Sequence, residues 1–341
     1  MKKEELTLYE KDKIIEAVSV LLKYYDKSEN KKATVKASHL LMDKVRYNDA
    51  EVITLEPDFI EEILFISNED GTKSIARDVY GQLRSLGADL KGVSFDNVHI
   101  SGCYFGGLKN VEINIQKIPN YDISNTSLKD VKVTGTLNGA NIHGTDFTDY
   151  IGDLVLDPQL VQNKDLYFTK LNGITVNGSF DGANVRCMQT TGFKGEIIIN
   201  PQKVVDKNLH GIDFNGIQLV GDYDETSGIY SDPCFENCRI YDTSFKGCIG
   251  NVVIPLDKLL WGANSCNFTG VKLTGKVKDA DLVRFSYYED ENGNKIYLTY
   301  DKDNSEEPDE EEKIMDTSIQ ENTVTKKKSR VLTFFDRLKR N

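Results

Sequence analysis

Large apolar residues recur at every fifth position in residues 87 to 107, a spacing that fits neither an α-helix nor a β-strand. The recurring residues are Leu90, Phe95, Ile100 and Phe105. Two positions before each stands a small or branched residue, and the two residues after each are of types that favour turns. Each group of five therefore predicts a short extended segment and a corner. The small or branched residues are expected to point inward as well, and they are Ala88, Val93, Val98 and Cys103. The residues expected to point outward are Asp89, Ser94, His99 and Tyr104.

A longer repeat follows downstream. Segments 126–142, 169–185 and 266–282 align without gaps, and a further copy begins at residue 212 and is split by DYDETSGIYSD. The inward residues expected in these copies are Leu128, Val133, Leu137, Ile142, Leu171, Val176, Phe180, Val185, Phe214, Leu219, Cys238, Ile240, Phe268, Leu273, Val277 and Leu282. Leu128, Leu171 and Phe214 lie 43 residues apart, and a fixed period of this length is typical of a solenoid. We expect two coils per unit, with one bulged side near Pro158, Pro201 and Pro255.

These groups of five resemble the pentapeptide-repeat family, and the resemblance covers residues 87–285. It implies a mainly β fold, a right-handed parallel β-helix with four sides and about 20 residues per coil. Stacked coils would lie about 4.8 Å apart. The apolar runs at 111–115, 154–156, 196–199 and 251–254 predict longer strands on the bulged side.

Residues 1–86 carry helical patterns and predict an α-helical domain that caps the β-helix. Helices are expected at about 7–27, around Val35 to Val45, from Pro57, and from Ile75 to Leu86 with an end at Gly87. A solenoid needs such a cap because its last coil exposes apolar side chains and open backbone edges.

Three segments follow the repeats. Residues 286–300 predict a β-hairpin around Asn292-Gly293. Residues 301–325 contain ten acids and two bases and predict a disordered linker. Residues 326–341 contain seven bases and predict a basic amphipathic helix for a membrane surface or a partner, or for docking on the chain's own acidic parts. Its candidate binding residues are Lys326, Lys327, Lys328, Arg330, Val331, Phe334, Phe335, Arg337, Leu338, Lys339 and Arg340.

The charge of the chain bears on its partners. The formal net charge is −12, and residues 88–285 hold 23 acids and 18 bases, which argues against direct binding to nucleic acid. No apolar run approaches the length of a membrane span, and no apolar segment follows the first lysines. We therefore expect a cytoplasmic protein, with a peripheral membrane position through residues 326–341 as the alternative.

Candidate chemistry is sparse. Cys103, Cys238, Cys248 and Cys266 fall on inward positions and predict buried reduced thiols, whereas Cys187 and Cys234 do not follow that register. The four histidines, His39, His99, His143 and His210, form no nucleophile motif. Two acid pairs, Asp89 with Asp96 and Asp279 with Asp281, are candidate carboxylate pairs that are more typical of solvated surface. We expect no catalytic residues, no cofactor and no metal.

The expected function is therefore non-enzymatic binding or scaffolding of a protein partner through the outer face of the β-helix. The resemblance also implies an alternative, because some pentapeptide-repeat proteins mimic B-DNA and protect gyrase. This chain departs from that pattern in its interrupted coils and mild acidity. A carbohydrate-active β-helix enzyme is a weaker alternative.

Overall fold

The computed structural model describes residues 57–85, 87–275 and 283–298. The described chain is mainly β, with two short α-helices before a β-solenoid of about eight turns. Single turns of 3₁₀-helix interrupt the solenoid at Ile115–Lys117, Pro119–Tyr121, Gln162–Lys164, Val205–Lys207 and Leu256–Lys258. The helices and strands are α1 (Pro57–Leu64), β1 (Phe65–Ser67), β2 (Lys73–Ile75), α2 (Arg77–Ser85), β3 (Val98–His99), β4 (Glu112–Asn114), β5 (Lys132–Thr134), β6 (Val155–Leu156), β7 (Thr175–Val176), β8 (Lys194–Gly195), β9 (Ile198–Ile199), β10 (Gln218–Leu219), β11 (Tyr223–Asp224), β12 (Ile229–Tyr230), β13 (Val253–Pro255), β14 (Lys272–Thr274), β15 (Tyr287–Glu289) and β16 (Lys295–Tyr297).

The inward register is confirmed. Leu90, Phe95, Ile100 and Phe105 are buried, and so are the corresponding residues of the longer repeat from Leu128 to Phe268. Leu273 is half-buried, and Val277 and Leu282 lie outside the described residues. The buried side chains of successive coils form one continuous core, which includes rings of adjacent coils in stacked contact.

The 43-residue period arises from two kinds of coil. One kind advances 19 residues before it returns to the same position, as from Ser127 to Asp146, and the other advances 24, as from Asp146 to Lys170. The longer coil holds both the bulged side and the turn of 3₁₀-helix that follows. The predicted double coil is therefore confirmed, although neither coil has the 20 residues that four groups of five would give.

A glycine forms the bulge on the long coils. Ile151 pairs with Lys132 on the coil before, whereas Val155 pairs with Thr175 on the coil after. Between these two pairings the chain crosses from one neighbour to the other. A methyl group on Gly152 would lie 2.6 Å from the carbonyl oxygen of Val133, so the crossing has no room for a side chain. Gly195 and Gly250 occupy the same position in later coils.

The N-terminal end of the solenoid is covered by α1 and α2, which confirms the two helices expected in this region. The start of the fourth helix was wrong, because Ile75 lies in β2. This strand pairs with β1 and, in parallel, with β3 of the solenoid, so strand pairing overrides the helical pattern of the sequence. Phe65 and Tyr80 then contact Phe95 and Phe105 of the first coil edge to face.

The expected hairpin near the C-terminal end is confirmed for β15 and β16, with Tyr287 opposite Tyr297. Four expectations lie outside the described residues: the helices at 7–27 and 35–45, the linker at 301–325 and the segment at 326–341. Among residues 57–85, 87–275 and 283–298, no helix is long and apolar enough to cross a membrane.

Candidate functional site

One corner of the solenoid carries a regular ladder of side chains. At this corner, backbone hydrogen bonds join each coil to the next. The first is donated by the N–H of Gly102 to the carbonyl oxygen of Ser124, and the last by the N–H of Ser265 to the carbonyl oxygen of Arg284. At about 4.8 Å per coil, the row is about 38 Å long. We call this row of residues the ladder corner; its members are Ser101, Ser124, His143, Tyr167, Arg186, His210, Tyr241, Asn264 and Arg284.

Local hydrogen bonds form the turn at this corner. On the five consecutive coils from Ser124 to His210, the side chain two residues before the ladder residue accepts its backbone N–H, as Asp165 does from Tyr167 at 3.0 Å and Asn208 from His210 at 3.1 Å. Asp and Asn favour such turns. The residue after the ladder residue has a positive φ, which is 56° at Phe168. A bulky residue rarely adopts this conformation, and such residues cluster at functional sites.

The middle of the ladder corner is built from rings and a guanidinium group. The ring centroids of His143 and Tyr167 lie 5.1 Å apart, and the guanidinium carbon of Arg186 lies 5.2 Å from the centroid of the Tyr167 ring. His210 stacks on Tyr241 at 5.0 Å, and its Nδ1 lies 2.8 Å from the Tyr241 carbonyl oxygen. The side chains therefore form two contact groups, His143 with Tyr167 and Arg186, and His210 with Tyr241, and each group restricts the motion of its members.

Asp165 fixes one part of this row. Its Oδ2 lies 2.9 Å from His143 Nδ1, and its Oδ1 accepts a hydrogen bond from the Asn184 side-chain amide at 3.0 Å. The carboxylate therefore connects three consecutive coils. A His–Asp pair can serve general base catalysis, but no contact places a serine or cysteine nucleophile beside His143 in the described residues.

An exposed tryptophan extends the ladder corner onto the neighbouring side. Trp261 is the one tryptophan of the sequence and is 66% exposed. Its ring lies 4.2 Å from the guanidinium carbon of Arg239, which is two residues before Tyr241 of the ladder. Leu260 beside it is 44% exposed. We call Arg239, Leu260 and Trp261 the tryptophan patch.

The structure does not bring the other candidate residues into one site. Asp96 pairs with Lys117, while Asp89 accepts from Asn110, so these two acids have separate partners. His99 contacts Thr72 on the cap. His39, Asp279, Asp281 and all candidate residues from Lys326 to Arg340 lie outside the described residues.

The thiols follow the expected register. Cys238 and Cys266 are buried, Cys103 and Cys248 are half-buried, and none of the six cysteines forms a disulfide. Burial raises the pKa of Cys103 to about 11 and that of Cys266 to about 12, so both remain protonated thiols at neutral pH. In the described part of the chain, no group of three or more His, Cys, Asp or Glu side chains is placed to hold a metal ion.

The sequence interpretation missed the ladder corner. One signal was present, because Arg186 follows His143 by 43 residues and His210 follows Tyr167 by 43. The repeat period therefore places each pair at equivalent positions on one face. The two pairs belong to alternate coils, and the unequal coil lengths concealed that they form a single row.

No protein-family model, curated protein or solved structure matches the chain. The assignment of a function therefore depends on the residues and contacts described above.

Proposed function

We propose that this chain is a non-enzymatic binding or scaffold protein of the pentapeptide-repeat type, located in the cytoplasm, and that the ladder corner with the tryptophan patch is its contact surface for a protein partner. Residue types support this assignment. Trp, Tyr and Arg are enriched among the residues that dominate protein–protein binding energies. Here Arg186, Tyr241 and Trp261 are exposed, and Trp261 is the most exposed aromatic residue in the described part of the chain.

Rigidity also supports binding. Ordering a mobile side chain at an interface costs roughly 0.5–1.5 kcal/mol. The side chains of Tyr167 and Arg186 already contact each other, as do those of His210 and Tyr241. Less of this entropic cost therefore remains when a partner binds. The backbone hydrogen bonds of the corner are made between coils, so recognition would use side chains.

The gyrase alternative calls for a continuous acidic surface. On the solenoid, several acids pair with lysines of adjacent coils, including Asp96 with Lys117 at 2.7 Å and Asp146 with Lys170 at 2.7 Å. These pairs do not favour mimicry of DNA. We expect purified protein neither to inhibit gyrase nor to protect its supercoiling activity from a quinolone, and protection by equimolar protein would promote this alternative.

Affinity capture from the native host tests the proposed function. One bait, which we call the ladder variant, carries Tyr167→Ser, Arg186→Ser and Trp261→Ser. The matched control bait carries Ile151→Ser, Lys194→Ser and Ile249→Ser, which change three exposed residues on the bulged side. We expect a protein that both the wild type and the control capture and that the ladder variant loses. Capture of the same proteins by all three baits would contradict the proposal.

A further inference from the structure

One coil contains an insertion that the solenoid does not need. Asn208 pairs with Arg239 on the next coil, so this coil advances 31 residues. The equivalent coil from Asp165 to Asn184 advances only 19. The difference is residues 222–233, which we call the hairpin insertion. After it, Gln202 donates to the carbonyl oxygens of Cys234 and Glu236, as Gln159 does to those of Ser179 and Asp181 in the shorter coil. The solenoid therefore resumes in register at Cys234.

The hairpin insertion is a folded element with a fixed base. β11 and β12 pair antiparallel, and the rings of Tyr223 and Tyr230 lie 4.9 Å apart. At the base, Asp222 pairs with Lys203 at 3.2 Å, and Asp232 accepts a hydrogen bond from Asn251 at 2.8 Å. Contacts to two other coils therefore hold the hairpin.

The surface of this hairpin combines negative charge with exposed apolar groups. The insertion contains four acids and no lysine or arginine. At its tip, Asp224 accepts hydrogen bonds from Thr226 and Ser227, and these bonds keep its pKa low and the carboxylate charged. Ile229 is 65% exposed, Tyr223 49% and Tyr230 42%. In two other coils the corresponding corner is only Gly135-Thr136 or Gly178-Ser179, so these exposed side chains are not required for folding.

We propose that the hairpin insertion is a docking element for a basic polypeptide segment that carries apolar side chains. Charge complementarity favours this occupant, because the acids of the hairpin would attract lysine and arginine while Ile229 and the two tyrosine rings accept the apolar side chains. The same charge disfavours nucleic acid and a second copy of the hairpin. The inference goes beyond the proposed function, because the hairpin insertion and the ladder corner are separate surfaces.

Fluorescence anisotropy of a short labelled peptide of lysine and leucine, titrated with the full-length protein, tests the proposal. The chain offers a matched control: deletion of residues 222–233 joins Gly221 to Cys234 and reproduces the corner of Gly178 and Ser179. We expect the deletion to weaken binding at least tenfold. A peptide of glutamate and leucine should not bind, and a peptide of lysine and glycine should bind more weakly than the lysine–leucine peptide.

Point variants keep the test valid if the deletion fails to fold. Ile229→Ser should weaken binding of the lysine–leucine peptide more than binding of the lysine–glycine peptide. Glu225→Gln should weaken binding of both peptides and reduce the salt dependence of that binding. The ladder variant should bind the peptide like the wild type, which separates this proposal from the proposed function. Unchanged binding in a folded deletion variant, or equal binding of the acidic peptide, would overturn the proposal.

Discussion

Replacement of Gly195 by alanine tests the crossing that allows long coils to pass between their two neighbours. A methyl group there would lie 2.6 Å from the carbonyl oxygen of Val176, compared with ordinary contacts of 3.4–4 Å, so the backbone must shift. Overpacking of this kind costs roughly 1–3 kcal/mol. The residue also has φ of +86°, which costs alanine roughly 1–2 kcal/mol. We therefore expect Gly195→Ala to lower the free energy of unfolding by about 2–5 kcal/mol.

Gly102→Ala is the matched control for this substitution. Gly102 has a similar φ of +75°, but a methyl group there would meet no atom within 4 Å. Only the conformational cost of about 1–2 kcal/mol should remain. Urea unfolding gives the free energy of unfolding of both variants, provided that their m-values equal that of the wild type. Equal destabilisation of the two variants would mean that the carbonyl contact has no energetic effect and that Gly195 is required for its conformation alone.

Four further predictions concern the core, the thiols and the C-terminal segment. Phe214→Ala should cost roughly 3–5 kcal/mol in urea unfolding because its ring is buried, whereas exposed Asp213→Ala should cost less than about 1 kcal/mol; equal costs would contradict the register. Exposed Cys234 should react with a thiol reagent well before buried Cys266 in the native protein. Burial raises the pKa of Cys266 from 9.0 to about 12, so the contribution of the buried thiol to stability is complete below pH 9 and should be lost as the pH rises toward 12. A urea midpoint that does not fall over this pH range would contradict the burial of this thiol. Removal of residues 326–341 should abolish co-sedimentation with anionic vesicles at low salt if that segment binds membranes, and full-length protein that stays in the supernatant would exclude the membrane interpretation.

Inward positions were predictable from the sequence because each coil must bury one large apolar side chain per side. Phe95 and Phe180 could be assigned to the core on spacing alone, because each belongs to a series of large apolar residues that recur every four or five positions. The period of 43 also predicted a double coil. It did not predict lengths of 19 and 24, because the crossing at Gly152 depends on hydrogen bonds to two other coils.

Outward positions were much less predictable. A ladder residue such as Tyr241 can be of any type that tolerates the corner, so its spacing carries no hydrophobic signal. The hairpin insertion adds twelve residues before it and removes the period as well. The strand that contains Ile75 was missed because the spacing of Ile75, Val79 and Leu83 also fits a helix, and because its parallel pairing with the strand at Val98 is distant in sequence.

Site-specific photo-crosslinking in the native host tests whether the ladder corner contacts a protein partner. A benzophenone amino acid replaces Tyr241, which is 48% exposed on the ladder corner, or Tyr121, which is 41% exposed at a different corner. We expect a covalent adduct with a protein partner from position 241 and none from position 121. An adduct from position 121 together with none from position 241 would contradict it.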